Sequence, residues 1–127
     1  SEEFLIKKAA KLDSLNSYHI SDAGFLYAKI KSTNKNFPLP EKGERVQFKY
    51  QIEDLERNII YSYKELGIVE YVIDQENLLP ALREGIRIMR PMEIAVFLFP
   101  SYLCFGYQGD GNKVGVSQPL RYTIERL

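Results

Sequence analysis

The sequence predicts an α+β fold: a curved, mostly antiparallel sheet of five to six strands, one short helix packed on its concave face, and a further helix at the N-terminus. Three observations carry this. Several stretches alternate apolar and polar residues with the period of a strand. One stretch, "ENLLPALREGIRIM" (76–89), switches to helical spacing. The next, "EIAVFLF" (93–99), is apolar on both faces, as a strand covered on both sides must be.

Taken in order, residues 2–13 read as a helix capped by Ser1, with Phe4, Leu5, Ala9 and Leu12 at helical spacing. "GFLYAKIKS" (24–32) alternates and reads as a strand. Two prolines and a glycine make "STNKNFPLPEKGE" (32–44) a loop. "RVQFKYQIED" (45–54) is the clearest strand, with Val46, Phe48, Tyr50 and Ile52 on one face. After the polar turn "EDLERN", "IIYSY" (59–63) returns as a strand and "IVEYVI" (68–73) alternates again. In 76–89, Leu79, Leu82 and Ile86 form one helical stripe, and Pro80 suits a first helical position, where a missing N–H costs nothing. "LRYTIERL" (120–127) closes the chain as a strand with Leu120, Tyr122 and Ile124 inward, Arg121 and Thr123 outward.

The totals exclude several functions. Seventeen basic residues balance seventeen acidic ones, so no bulk field draws the chain to nucleic acid or anionic lipid. No apolar run approaches the length of a membrane span. His19 is the only histidine and Cys104 the only cysteine, which argues against a His/Cys metal site and against Ser-His-Asp or Cys-His catalysis. The glycine-rich "GYQGDGNK" (106–113) fits neither phosphate-loop pattern and leads into a strand, not a helix. Its one carboxylate, Asp110, is too few for a calcium loop. "IKKAAK" (6–11) reads as a solvated face. What remains is a site of apolar and aromatic groups that needs no metal and no cofactor.

The densest aromatic segment is "FPSYLCFGYQGDGNKV" (99–114), where rings are interleaved with Pro100, Gly106, Gly109 and Gly111 so that no regular helix or strand can run through it. Three blocks stand in order, at a spacing that needs no gaps to match: "LLPALREGIRIMRPME" (78–93), "FPSYLCFGYQG" (99–109) and "VGVSQPLRYTIERL" (114–127). In that order and spacing they resemble the helix segment, the I-P-x-x-L-A-Y-G-x-x-G segment and the closing strand of the FKBP-type peptidyl-prolyl cis-trans isomerases. The resemblance covers about residues 43–127. It implies an FKBP-like fold, an FKBP-type domain over 19–127 and an N-terminal helical extension over 1–18.

Carried over position by position, the resemblance implies a pocket. Tyr50 takes the strand tyrosine of its wall, and Tyr61 and Val69 two usual phenylalanine positions. Leu78 and Leu79 match the V-I pair, whose second member offers a backbone N–H to ligand. Leu82 lies at the floor, Phe105 matches the tyrosine of A-Y-G, and Tyr122 matches the phenylalanine of the last strand. Ser62 stands where the family has aspartate, Phe105 lacks the hydroxyl, and Gly115 replaces a proline. The implied function is rotation about Xaa-Pro bonds of exported polypeptides in a water-poor pocket, one that macrolide inhibitors of the family also enter. Two alternatives stay open: a proline-peptide-binding or chaperone module with little turnover, and a structural envelope component. A helix ahead of such a domain is similar to the gliding-motility-associated envelope lipoproteins of this family. That implies the periplasmic side of a bacterial envelope and a lipid anchor upstream of Ser1.

Overall fold

The computed structural model describes every residue, Ser1–Leu127. Helix α1 spans Glu2–Leu12; the Ser1 hydroxyl accepts the Phe4 N–H at 3.3 Å, and Glu2 and Glu3 occupy the electropositive first turn. Seven strands follow: β1 (His19–Ile20), β2 (Leu26–Lys31), β3 (Arg45–Glu53), β4 (Ile59–Tyr61), β5 (Val69–Val72), β6 (Ile94–Phe99) and β7 (Leu120–Arg126). They make one antiparallel sheet in the order β1-β2-β6-β7-β3-β4. β5 pairs with β3 on the same edge as β4. Six strands sit where the sequence predicts them, five from 24–73 and 120–127 and β6 from its apolar run; β1, only two residues long, is too short to show a period.

Strand β3 is shared along its length. β4 pairs with Ile52 and Glu53, and β5 pairs with Arg45–Phe48. The interval between is bridged by α2 (Tyr63–Leu66), a single helical turn whose first residue, Tyr63, falls at the end of the stretch expected as strand. Its cause is local: the Ser62 hydroxyl accepts the Glu65 N–H at 3.2 Å, and the Glu65 carboxylate accepts the Ser62 N–H at 3.0 Å. This capping box fixes the turn by satisfying donors that a helix end leaves orphaned.

Helix α3 (Pro80–Arg87) carries the chain from β5 at one side of the sheet to β6 beyond β7, so it crosses the inner face. Pro80 occupies the first turn, as expected. Ala81, Leu82 and Ile86 are buried against Phe48, Phe97, Tyr122 and Ile124 in one core. Gly85 lets the helix come close: a Cβ there would meet Ile124 Cδ1 at 3.0 Å and the Phe97 ring at 3.3 Å.

The outer face of the sheet is covered by α1 and the segment after it. Val96 and Leu98 are fully buried on this side, which is why β6 is apolar on both faces. The helix docks through Ile6, however, and not through the expected stripe. Phe4, Leu5 and Leu12 are 64%, 46% and 75% exposed. Arg121 points outward as expected yet is buried, because Asp13 and Glu53 close over it at 3.8 and 2.7 Å. A buried guanidinium is tolerated only when carboxylates replace its water.

Candidate active site

Strand register puts the expected wall on one face. Tyr50 is on the face of β3 that carries Val46, Phe48 and Ile52. Tyr61 pairs directly with Ile52, Val69 with Phe48, and Tyr122 with Ile52 across β7. Directly paired residues project to the same side of a sheet, so Tyr61, Val69 and Tyr122 project with Tyr50 toward α3. The Tyr50 and Tyr122 rings are stacked, 5.9 Å between centroids and 9° from parallel, and Phe99 meets Tyr122 edge-on at 5.2 Å.

Depth differs among these residues. Tyr122 and Leu82 are buried in the core. Tyr50, Tyr61, Val69, Leu78, Leu79 and Phe105 are half-buried and pack against that core, so each keeps surface toward solvent. Together they form one partly exposed, mostly apolar surface over the buried Tyr122 and Leu82, the candidate cleft. Of the ring-rich segment, Phe99 goes into the core and Phe105 to the cleft, while Tyr102 and Tyr107 stay 65% and 78% exposed. Tyr102 donates instead to the Ala23 carbonyl at 3.0 Å.

Polar groups at the cleft are few. Leu79 is the N-cap of α3; its carbonyl accepts the Arg83 N–H at 3.0 Å, while its own N–H donates to no group of the chain. Burial pushes the Tyr50 phenol above its ordinary pKa. The Ser62 hydroxyl is engaged in the α2 cap, so it does not replace a cleft carboxylate. A carboxylate reaches the rim from elsewhere. Asp110 accepts a short hydrogen bond from the Tyr61 hydroxyl, and its other oxygen accepts the Asn112 and Val114 N–H groups at 2.9 and 2.8 Å. The Tyr61 hydrogen bond, chiefly, holds the Asp110 carboxyl below its usual range, and Asp110 in turn raises the Tyr61 phenol. Lys113 lies 5.1 Å above the Tyr61 ring and 3.3 Å from Glu65.

Sequence reasoning missed Asp110, Lys113 and Glu65 as rim residues. The signal for Asp110 is the G-D-G turn itself, where a carboxylate caps its own backbone. Gly109 is required there: its φ is +72°, and a Cβ would lie 2.3 Å from the Val114 carbonyl oxygen. Gly115, where a proline is usual, donates its N–H to the Gln118 side chain at 2.7 Å, a bond proline cannot make.

Three surface grooves, of about 470, 400 and 190 Å³, lie elsewhere, around α1, and none includes any cleft residue. Their walls bring Glu2, Glu3, Lys7, Lys8 and Glu56 together with apolar groups, which is unsuited to chemistry that needs dryness. No helix is long and apolar enough to cross a membrane.

The architecture is an antiparallel sheet crossed on its inner face by one helix, with half-buried aromatic side chains gathered beside that helix. The family model of the FKBP-type peptidyl-prolyl cis-trans isomerases matches residues 38–127, and the chain belongs to that family. Among solved structures it is similar to FkpA from Escherichia coli, at 16% identity and a TM-score of 0.78, covering 99% of this chain and 57% of that one. It is also similar to the N-terminal domain of FKBP42 from Arabidopsis thaliana, at 20% identity and a TM-score of 0.74, covering 87% and 89%. Against the three FKBP domains of wheat FKBP73 the values are 21% and 0.72, covering 87% and 47%. The chain thus spans little more than half the length of FkpA. No curated protein sequence matches.

Proposed function

We propose that this domain accelerates rotation about Xaa-Pro bonds of unfolded or newly exported polypeptides, in the cleft walled by Tyr50, Tyr61, Val69, Leu78, Leu79 and Phe105 over Tyr122 and Leu82. The observation that supports it best is the convergence of half-buried rings from β3, β4 and the loop after β6 on one face, beside an unengaged backbone N–H at Leu79.

The reaction needs no nucleophile. Amide resonance sets a barrier of about 18–20 kcal/mol. At the top the C–N bond is twisted and the amide has lost much of its dipole, so a water-poor cleft disfavours the twisted form less than the planar one. Each tenfold acceleration requires about 1.4 kcal/mol of such preference. Ring shape-fit around proline, loss of water from the carbonyl and one hydrogen bond from the Leu79 N–H supply the contributions. Ser62 and Asp110 then act on the walls: Ser62 fixes α2, and Asp110 fixes the orientation of Tyr61. The same cleft would admit macrolide inhibitors.

Refolding limited by proline isomerisation tests the reading. Acceleration at micromolar protein that falls about tenfold or more in Tyr50→Ala is expected; no acceleration by the unaltered chain overturns it.

A second reading, a proline-peptide binder with little turnover, is favoured by Phe105, which offers no hydroxyl to a bound carbonyl. Peptide binding seen by tyrosine fluorescence, with no catalysis, would select it. For the setting of the domain we propose the periplasmic side of a bacterial envelope, with a lipid anchor upstream of α1 as in gliding-motility-associated lipoproteins. Fractionation of the full-length protein with membranes, reversed by removal of the anchor, tests that.

A further inference from the structure

We infer that Glu2 is a positioning residue for the cleft, acting through Ser101 on the loop that carries Phe105; this rests on the isomerase reading above. The Glu2 carboxylate accepts the Ser101 N–H at 2.7 Å with one oxygen and the Ser101 hydroxyl at 2.7 Å with the other, across 99 positions of chain. Ser101 is 6% exposed, so both of its donors are away from water. Charge-assisted bonds of this kind are the strong ones, and their loss leaves buried donors unmet.

Ser101 passes the constraint on. Its carbonyl accepts the Cys104 N–H at 2.9 Å and the Gly106 N–H at 2.8 Å, closing a tight loop around Phe105. The Gly106 carbonyl then accepts the Ser117 N–H at 3.1 Å, tying that loop to the chain entering β7. Glu2 therefore sits at the root of the hydrogen bonds that aim one lip of the cleft, although it lies on the opposite face of the sheet.

The other end of α1 is fastened in the same way. Asp13, its C-cap, lies 3.8 Å from Arg121, which is the neighbour in sequence of Tyr122 on the cleft floor. Between these two polar fastenings α1 buries only Ile6. A helix attached by its ends, with so little apolar contact between, is a strut: it transmits position more than it adds core. Its two attachments fall on the two elements that supply Phe105 and Tyr122.

The test compares the unaltered chain, Glu2→Ala, Glu2→Gln, and Leu12→Ser as a control on the exposed side of α1. Amide hydrogen exchange and steady-state kinetics on an Xaa-Pro tetrapeptide are both read. In Glu2→Ala, the Cys104 and Gly106 amides exchange at least about tenfold faster while β6 and β7 amides keep their rates. KM rises about 5–10-fold with kcat within about twofold. Glu2→Gln, which keeps one acceptor, recovers part of both effects, and Leu12→Ser shows neither. Unchanged exchange at Cys104 and Gly106, or acceleration spread equally over β6 and β7, overturns the inference. If the unaltered chain shows no isomerase activity, the isomerase reading falls by that result alone, and the positioning of the loop by Glu2 is still decided by the exchange data.

Discussion

The Tyr122 ring lies flat beneath Tyr50 and end-on to Phe99, and its hydroxyl is buried with no hydrogen-bond partner. Burial drives its pKa far up, as it pushes the nearby Cys104 thiol up to about 12. A buried hydroxyl without a partner costs about 1–3 kcal/mol against an apolar group of the same shape. Tyr122→Phe is therefore expected to leave stability unchanged or raise it by about 1 kcal/mol, measured by urea denaturation. A loss above 1 kcal/mol would show that the hydroxyl is satisfied in solution.

Asp110 organises the rim. In Asp110→Asn the Tyr61 phenol loses its charged acceptor, and its pKa, raised in the native protein, returns toward the ordinary value of about 10. A spectrophotometric titration of the tyrosines then shows one group ionising at lower pH than in the unaltered chain. The loop amides of Asn112 and Val114, which also lean on this carboxylate, exchange faster in the same variant. Superimposable titration curves would remove Asp110 from this role.

Stability is expected to fall in acid, and Asp13 and Glu93 are two carboxylates that contribute to it. At Asp13, burial raises the pKa, but hydrogen bonds from Asn16, Tyr18 and the Leu15 N–H, with Arg121, outweigh it and hold the carboxyl low. At Glu93, burial is likewise outweighed, by Lys29 and the Arg90 and Thr33 N–H groups. A depressed pKa in the folded state means the unfolded chain takes up protons first. The contribution is thus complete above the ordinary carboxylate value of about 4 and disappears as pH drops below it, through the folded values. Denaturant midpoints taken from pH 6 to pH 2.5 should decline below about 4, and less steeply in Asp13→Asn.

Arg121 is expected to be costly to remove. Its side chain is 6% exposed, and those of Glu53 and Asp13 are 9% and 8%. Arg121→Met leaves two buried carboxylates without their cation, a change that costs about 3–5 kcal/mol. Arg121→Met combined with Glu53→Gln and Asp13→Asn should recover much of it, since the uncompensated charge is what destabilises. Urea unfolding of both variants measures this, and equal stability of the two would refute it.

How far the sequence reveals this molecule depends on the range of each interaction. Alternation in "VQFKYQI" and "LRYTI" suffices to aim Tyr50 and Tyr122 inward, because a strand has only two faces. Pro80 marks the start of α3 for an equally local reason. The buried face of α1 is harder: Ile6 lies among lysines, and helical spacing shows a stripe without saying which stripe meets the sheet. α2 is too short to display a period, although Ser62 and Glu65 form its S-x-x-E signature. Tyr61 and Asp110 are 49 positions apart, and Arg121 meets Asp13 from the opposite end of the chain. Nothing in the local pattern of either pair announces its partner, so an arginine at an outward strand position reads as solvated.

The stretch that defines kinship, 38–127, leaves out β2 and Phe25. Yet β2 supplies the whole outer hydrogen-bonding edge of β6, and the Phe25 ring seals Phe97 and Phe99 from 5.8 and 5.0 Å. Cutting the gene at the boundary of recognisable ancestry would bare a ladder of unpaired amides beside two uncovered rings, a surface suited to self-association. Ancestry is recorded in a shorter piece of polypeptide than the sheet that piece belongs to.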